Sequence, residues 1–437
     1  MKQHLLFTLL VGLLPLTAPA QGPLPPPPGA PGPTMKTLDQ IEPRTDIATL
    51  PGDGTYLHVI NVPGSYFLSG NLTNAASGKG GIVIAANDVT LDLGGFSVTN
   101  TGSSPVEGIR GAGKHLTVHH GSLRGWSKGV SCNLGGTLDH LVLTANAVGM
   151  EADQSLISDC VAEDNTERGF QSGSSTVTRC LARNSGLGFA LGDNAILADC
   201  VATGGSNSGF YMLATNCILH RCSAVGNSGG FTFAGRNSFS DCVATSNTSS
   251  GGFNGSGSGG YCRFTRCSAF SNKTVGFSSD ISSFFEGCKA SNNGSGGFVV
   301  TDTCRIVDCV AEANGTGATG TGITAGIRVT VVHCIVNANR ADGISAGGDA
   351  VISENHVSLN GAGGAAAGIH ITGGGSRIEG NQVRETSGTG ILATGSDAIV
   401  RNSSGGNTTN YSPASGTNFA PVQSPSTATN PLANLSF

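Results

Sequence analysis

Ile157-Ser-Asp-Cys160-Val-Ala-Glu-Asp-Asn165 returns along this chain in altered but recognisable form. Leu197-Ala-Asp-Cys200-Val-Ala202, Leu219-His-Arg-Cys222-Ser-Ala-Val-Gly-Asn227 and Ile306-Val-Asp-Cys309-Val-Ala-Glu-Ala-Asn314 repeat it. Each then runs on to a Gly-Phe or Gly-Ile pair before the next unit begins. Self-similarity at a period of about 20–25 residues is the mark of a solenoid, in which one unit makes one turn.

Aligning the units gives columns. The first holds Cys160, Cys180, Cys200, Cys222, Cys242, Cys267, Cys288, Cys309 and Cys334, continued by Asn355, Asn381 and Asn402. Two residues on stand Ala162 to Ala311, then Val336, Val357 and Val383. A third column reads Asn146, Asn165, Asn184, Asn207, Asn227, Asn247, Asn272, Asn293, Asn314, Asn339 and Asn360. A fourth reads Phe170, Phe189, Phe210, Phe231, Phe253, Phe277 and Phe298, then Ile327, Ile344, Ile369 and Ile391. A fifth, three residues before the Cys, is apolar from Ile157 to Ile399.

Apolar residues inside a unit are spaced by two or three, not by the three-four alternation of a helix. Gly and Asn within each unit would weaken a helix further. Short strands joined by Gly and Asn turns fit instead. The predicted fold is all-β, a single-stranded right-handed parallel β-helix; the hand follows from the strong preference of parallel β connections. Coils about 4.8 Å apart would bring identical residues into contact, stacking Phe rings and chaining Asn amides.

The termini read differently. Lys2, the apolar run Leu5 to Leu16 and Ala18-Pro19-Ala20 have the layout of a secretory signal over residues 1–20. Residues 21–34 are nearly all Pro and Gly, the composition of an extended linker. Residues 35–80 lack the repeat and are expected to cap the first coil, residues 81–402 to form the helix, and residues 403–437 to be a cap or a tail. No later segment is apolar enough to span a bilayer. The expected location is secreted, periplasmic or cell-surface.

The chain of 437 residues carries a net charge of −5. That sign disfavours nucleic acid as partner. Thirteen Cys in an exported chain invite disulfides. The column is better explained by small apolar filler, since in-register Cβ atoms about 4.8 Å apart are slightly too far for unstrained bonds; Cys217–Cys222, Cys262–Cys267 and Cys304–Cys309 are the pairs that could close within a coil.

From Gly80 to Asn402 the chain resembles the pectin-lyase-like right-handed β-helix proteins. Pro63-Gly-Ser-Tyr-Phe-Leu-Ser-Gly-Asn-Leu-Thr73, Val89-Thr-Leu-Asp-Leu-Gly-Gly-Phe96 and Asn430-Pro-Leu-Ala-Asn434 resemble a bacterial exported subgroup of them. The resemblance implies the fold and leaves open lyase, hydrolase, epimerase, tailspike and adhesin roles. None of the catalytic patterns expected of polygalacturonases, pectate lyases or alginate epimerases is present, so no catalytic residue carries over.

His115, His119 and His120, with Arg124, form the densest imidazole patch, and Asp92 and Glu107 are carboxylates that could stand beside it; His115, His119, His120 and Asp92 are the acid/base candidates. Read as one strand, the segment would set His115 and His119 on one face and His120 opposite. Trp126, Tyr211 and Tyr261 are the candidate sugar-stacking residues, since stacking needs an exposed aromatic, and Arg124 beside the histidines is a further binding candidate. No metal site and no cofactor is expected. The position before the Cys column alternates in sign, Asp159, Arg179, Asp199, Arg221, Asp241, Arg266, and predicts an outward ion-pair ladder. The leading functional reading is a binding or structural role toward polysaccharide or the cell envelope. A carbohydrate-active enzyme and a self-associating surface protein are the alternatives.

Overall fold

A computed structural model describes residues 44–437, apart from 256–259, 318–319 and 365. The expected signal and linker lie outside the described residues. The rest is a parallel β-solenoid in which every coil contributes to three faces. One coil shows the plan. Arg168–Ser172 lies on face 1, Thr176–Thr178 on face 2 and Leu181–Arg183 on face 3. Each strand pairs in register with its successor one coil on: Phe170 with Phe189, Val177 with Leu197, Ala182 with Ala202. Face 1 stacks seventeen strands, from Tyr56–Ile60 to Thr409–Pro413; faces 2 and 3 form one bent sheet of 34 strands.

The three corners share one device, a residue in the left-handed region followed by a buried one. In the coil of Arg168 these are Ser174-Ser175, Arg179-Cys180 and Asn184-Ser185, with φ of 49, 52 and 50°. The left-handed residue turns the chain from one face to the next and points its side chain to solvent, and its successor points inward. This explains why charged residues can precede Cys in coil after coil without entering the core.

Inside, the Phe column stacks nearly parallel, with centroids 4.6–4.9 Å apart from Phe170 to Phe298. A second stack, Phe239, Phe264 and Phe285, occupies the face 2 column and meets the first edge-on. Quadrupoles favour both arrangements. At the corner between faces 3 and 1, buried Asn amides chain the coils. Asn293 Oδ1 accepts the backbone N–H and the Nδ2–H of Asn272, while Asn293 Nδ2 donates to Asn314 Oδ1 and to the Ala269 carbonyl. The Gly before each Phe makes room for this chain: a Cβ on Gly276 would lie 2.8 Å from the Gly297 carbonyl oxygen and 2.9 Å from Asn293 Nδ2.

Three column assignments are corrected. Asn184 is the exposed left-handed corner residue, and Ser185 fills the ladder position. Asn207 likewise stands outside the ladder, where Gly205 donates its N–H to Asn227 Oδ1. Ile323, not Ile327, continues the Phe column, because Ile323 is the residue that pairs with Phe298, and Ile327 falls beyond that strand. The ends also differ from the expected boundaries. Tyr56–Ile60, Gly64–Phe67 and Leu72–Asn74 already form a coil, pairing with Gly80–Ile84, Val89–Asp92 and Ser97–Asn100. The cap before it is shorter, with Thr45–Asp46 paired to Tyr66–Phe67. The C-terminal segment is docked: Asn434 Oδ1 accepts from Asn402, so the last Asn column runs Asn355, Asn381, Asn402, Asn434.

The Cys column lines the corner between faces 2 and 3, and its thiols are buried and carry no disulfide. Cys217 and Cys304 lie at the other end of face 2, across a three-residue strand from Cys222 and Cys309, which explains the four-residue spacing without a bridge. Burial pushes the Cys262 thiol up to about 11, the direction that keeps a thiol inert.

The ion-pair ladder stands on the left-handed residues of this corner. Arg179, Arg221 and Arg266 each make two bonds of 2.6–2.8 Å to the Asp one coil before, Asp159, Asp199 and Asp241. Each Arg holds its Asp below the ordinary carboxylate range. A depressed carboxylate pKa adds stability above the unfolded value, about 3.9, and that stability is lost as pH falls through the depressed value. Arg221→Asp should therefore lower the melting temperature at neutral pH by setting carboxylates on three successive coils. Molar salt should remove most of the difference, since these groups are exposed. An unchanged melting temperature at low salt would show that the ladder is without consequence for stability.

Candidate functional site

The residues singled out from sequence do not converge on one place. Trp126 is buried, and its Nε1–H donates to the Val98 carbonyl at 2.9 Å, so it fills the corner column below Asn146 and cannot stack on a sugar. Arg124 is exposed on face 3, in register with Thr144. Tyr261 is exposed at a left-handed corner between faces 1 and 2. Tyr211 alone of the four lies on face 1, in register with Ala190 and Thr232.

His115 also parts from the other histidines. It is itself a corner residue, with φ of 56°, and its Nδ1 lies 2.9 Å from Asp88 Oδ1 at the far end of face 2. His119 and His120 share one surface because the chain turns at His120, where φ is 58°. The alternation of a flat strand, which set them on opposite faces, fails there. Their Nδ1 atoms are 2.8 Å apart, and each lies 3.6–3.7 Å from Asp92 Oδ1. The next coil adds Asp139 and His140, joined at 2.7 Å. Burial lowers the His119 pKa, against the pull of Asp92. For Asp139, burial is outweighed by the Ser158 hydroxyl and His140, which hold the carboxyl below its usual range.

Face 1 is the surface that sequence reasoning overlooked. Its outward row runs Gln171, Ala190, Tyr211, Thr232, Asn254, Ser278, Val299, Thr324, Ser345, His370, Leu392, one residue per coil in continuous register. At strand spacing this is a strip of about 48 Å. Five of its eleven side chains, Thr232, Asn254, Ser278, Thr324 and Ser345, are short and polar, and none is an acid, lysine or arginine. Coil length varies at the edge of this face. Nine positions separate Asn314 from Ile323 and Asn360 from Ile369, where five separate Asn165 from Phe170. The corner between faces 2 and 3 keeps two residues in every coil from Asp159 on. Variable loops beside a constant scaffold are where binding chemistry concentrates.

Two depressions open on the strip. One, of about 260 Å³, is lined by Arg168, Gln171, Leu187, Tyr211 and Leu213. The other, of about 350 Å³, is lined by Asp342, Ala366, His370, Thr389 and Leu392. In it His370 Nδ1 lies 3.1 Å from Asp342 Oδ2, while Asp342 Oδ1 accepts the Ala367 N–H at 2.7 Å. That fixes the carboxylate against the imidazole, an arrangement able to orient a general base. The pair is 28 residues apart and has no local sequence signal.

Residues 252–409 match the family of right-handed β-helix regions. This chain is a right-handed parallel β-helix. No curated protein matches it. Among solved structures, a tailspike mutant of E. coli bacteriophage HK620 in complex with pentasaccharide shares 11% identity at a TM-score of 0.46, over 91% of this chain and 79% of that one. The N-terminal fragment of bacteriophage Phi29 gene product 12 gives 9% and 0.41, over 79% and 81%. Tailspike protein 3 of bacteriophage CBA120 gives 11% and 0.36 over 90% of this chain, which spans 65% of its length. Among the described residues, no helix is long and apolar enough to cross a membrane.

Proposed function

We propose that this β-helix is an exported protein that binds an extended polysaccharide along face 1. The observation that carries the reading is the continuous strip from Gln171 to Leu392. Seven of its eleven residues, from Gln171 to Ser345, carry a hydroxyl or amide group, and at a coil spacing of about 4.8 Å these offer donors and acceptors to sugar hydroxyls. Tyr211 supplies an aromatic face within the strip, beside Arg168. A linear polymer meets the same spacing coil after coil, so many weak contacts add. Export and a periplasmic, secreted or cell-surface location are supported by the charge, apolar run and small-residue pattern of residues 1–20, and the cell envelope is then the nearest source of such a polymer.

The Asp342–His370 pair favours a second reading on the same face, cleavage of the bound polymer, with His370 as the base. One experiment separates them. The mature protein is passed over immobilised acidic and neutral polysaccharides and, in parallel, assayed for unsaturated products and new reducing ends. Retention that weakens about tenfold in Tyr211→Ala, without cleavage, is the expected result. Cleavage abolished by His370→Ala would replace binding with catalysis. Neither retention nor cleavage on any polymer would overturn both.

A further inference from the structure

We propose that Asp92, His119 and His120 form a binding site for a divalent transition-metal ion of the zinc type, with Asp139 and His140 on the next coil completing it. A triangle with sides of 2.8, 3.6 and 3.7 Å has its centre about 2.0 Å from every corner, the length of a zinc–nitrogen or zinc–oxygen bond. Three donors thus already surround a point at bonding distance from each. His120 also stands with Asp139 and His140, the candidate ligand atoms of those three lying within 4.8 Å of one another. Two imidazoles with carboxylates suit zinc and its neighbours, whereas calcium asks for six to eight oxygens.

The site is held from behind. Arg44 Nη1 bonds Asp92 Oδ2 at 3.0 Å and stacks its guanidinium 5.3 Å from the Phe67 ring centre, so Oδ1 is turned toward the histidines. The Gly94 N–H, at 2.9 Å, steadies that oxygen. Carboxylates ordered in this way are characteristic of ligands to metals.

The position in the solenoid gives the site a purpose. His120 and His140 occupy the corner column that continues as Asp159, Arg179, Asp199 and Arg221. Downstream, opposite charges tie neighbouring coils together there. In the first coils two histidines follow one another and no Arg stands in that column, and the Cys and Phe columns have not yet begun. A cation shared by successive coils would clamp them where Asp–Arg pairs do so later.

The test uses the full mature chain. Calorimetric titration with Zn²⁺ and absorption titration with Co²⁺ should show one high-affinity equivalent. Affinity should fall ~100-fold or more in His119→Ala and in His120→Ala, both partly exposed side chains, and stay unchanged in His115→Ala. Circular dichroism of each variant confirms that the coils are intact. The Co²⁺ spectrum should lack thiolate charge-transfer bands. Failure of both ions to bind at micromolar concentration would overturn the site, as would unchanged affinity in folded His119→Ala and His120→Ala. Thiolate bands would place the ion on the Cys column instead.

Discussion

Phe253→Ala is expected to destabilise the solenoid by roughly 3–5 kcal/mol, at the upper end of that range. Phe253 lies 4.6 Å from Phe231 and 4.7 Å from Phe277 by ring centroids, and edge-on to Phe239 and Phe264 at 5.8 and 5.9 Å. Removing it empties a fully buried site and breaks contacts in both stacks at once. In-register backbone pairing above and below prevents collapse of the cavity, since coils cannot close without breaking their hydrogen bonds. Phe253→Leu keeps most of the volume and loses only the ring contacts, each about 0.5–1.5 kcal/mol. Denaturant unfolding of the two variants beside the parent measures the difference. Equal losses for Ala and Leu would show that stacking, not volume, dominates.

Asn293→Ala is the second large effect, roughly 2–6 kcal/mol. The substitution orphans the Asn272 N–H and one Asn272 Nδ2–H, both buried, and leaves the Ala269 carbonyl without its Asn293 donor. An unsatisfied buried donor costs about 1–3 kcal/mol. Asn293→Asp should be no better, because a carboxylate keeps the acceptor but cannot donate to Ala269 or Asn314 and buries a charge. Lys273→Ala, exposed on the same coil edge, should change stability by less than about 0.5 kcal/mol. Hydrogen exchange localises the loss: protection should fall first in the coils of Asn272, Asn293 and Asn314. A loss spread evenly along the chain would mean that the amide ladder acts through global stability alone.

The Phe, Ala and Cys columns were legible because a solenoid sets equivalent residues in contact, so the packing repeats in the letters. Repetition misleads where coil length changes. Two Gly-Ile pairs follow Asn314, Gly322-Ile323 and Gly326-Ile327, and only the strand pairing selects Ile323 as the neighbour of Phe298. Asn serves two purposes at a corner, as the left-handed residue, the place Asn184 holds, and as the buried one after it. Only the backbone angle separates them. The second Phe stack is masked in the sequence because Phe239, Phe264 and Phe285 share their column with Ile, Leu and Val.

The sites were less legible for the same reason. His119 and His120 were visible as a patch, but their common surface depends on a turn at His120 that a flat strand would not make. Asp139 and His140 join them only because the coil between is twenty residues long. Asp342 and His370 meet across a coil lengthened by its loop, and no period in the chain predicts that distance.

By itself the sequence determined a stack of parallel coils with Phe and Cys inside and charges at a corner, because repetition alone puts like beside like. The tertiary structure alone decided which exposed residues meet. Register, coil length and the sign of φ at each corner choose those neighbours, and none of the three is written in a single repeat.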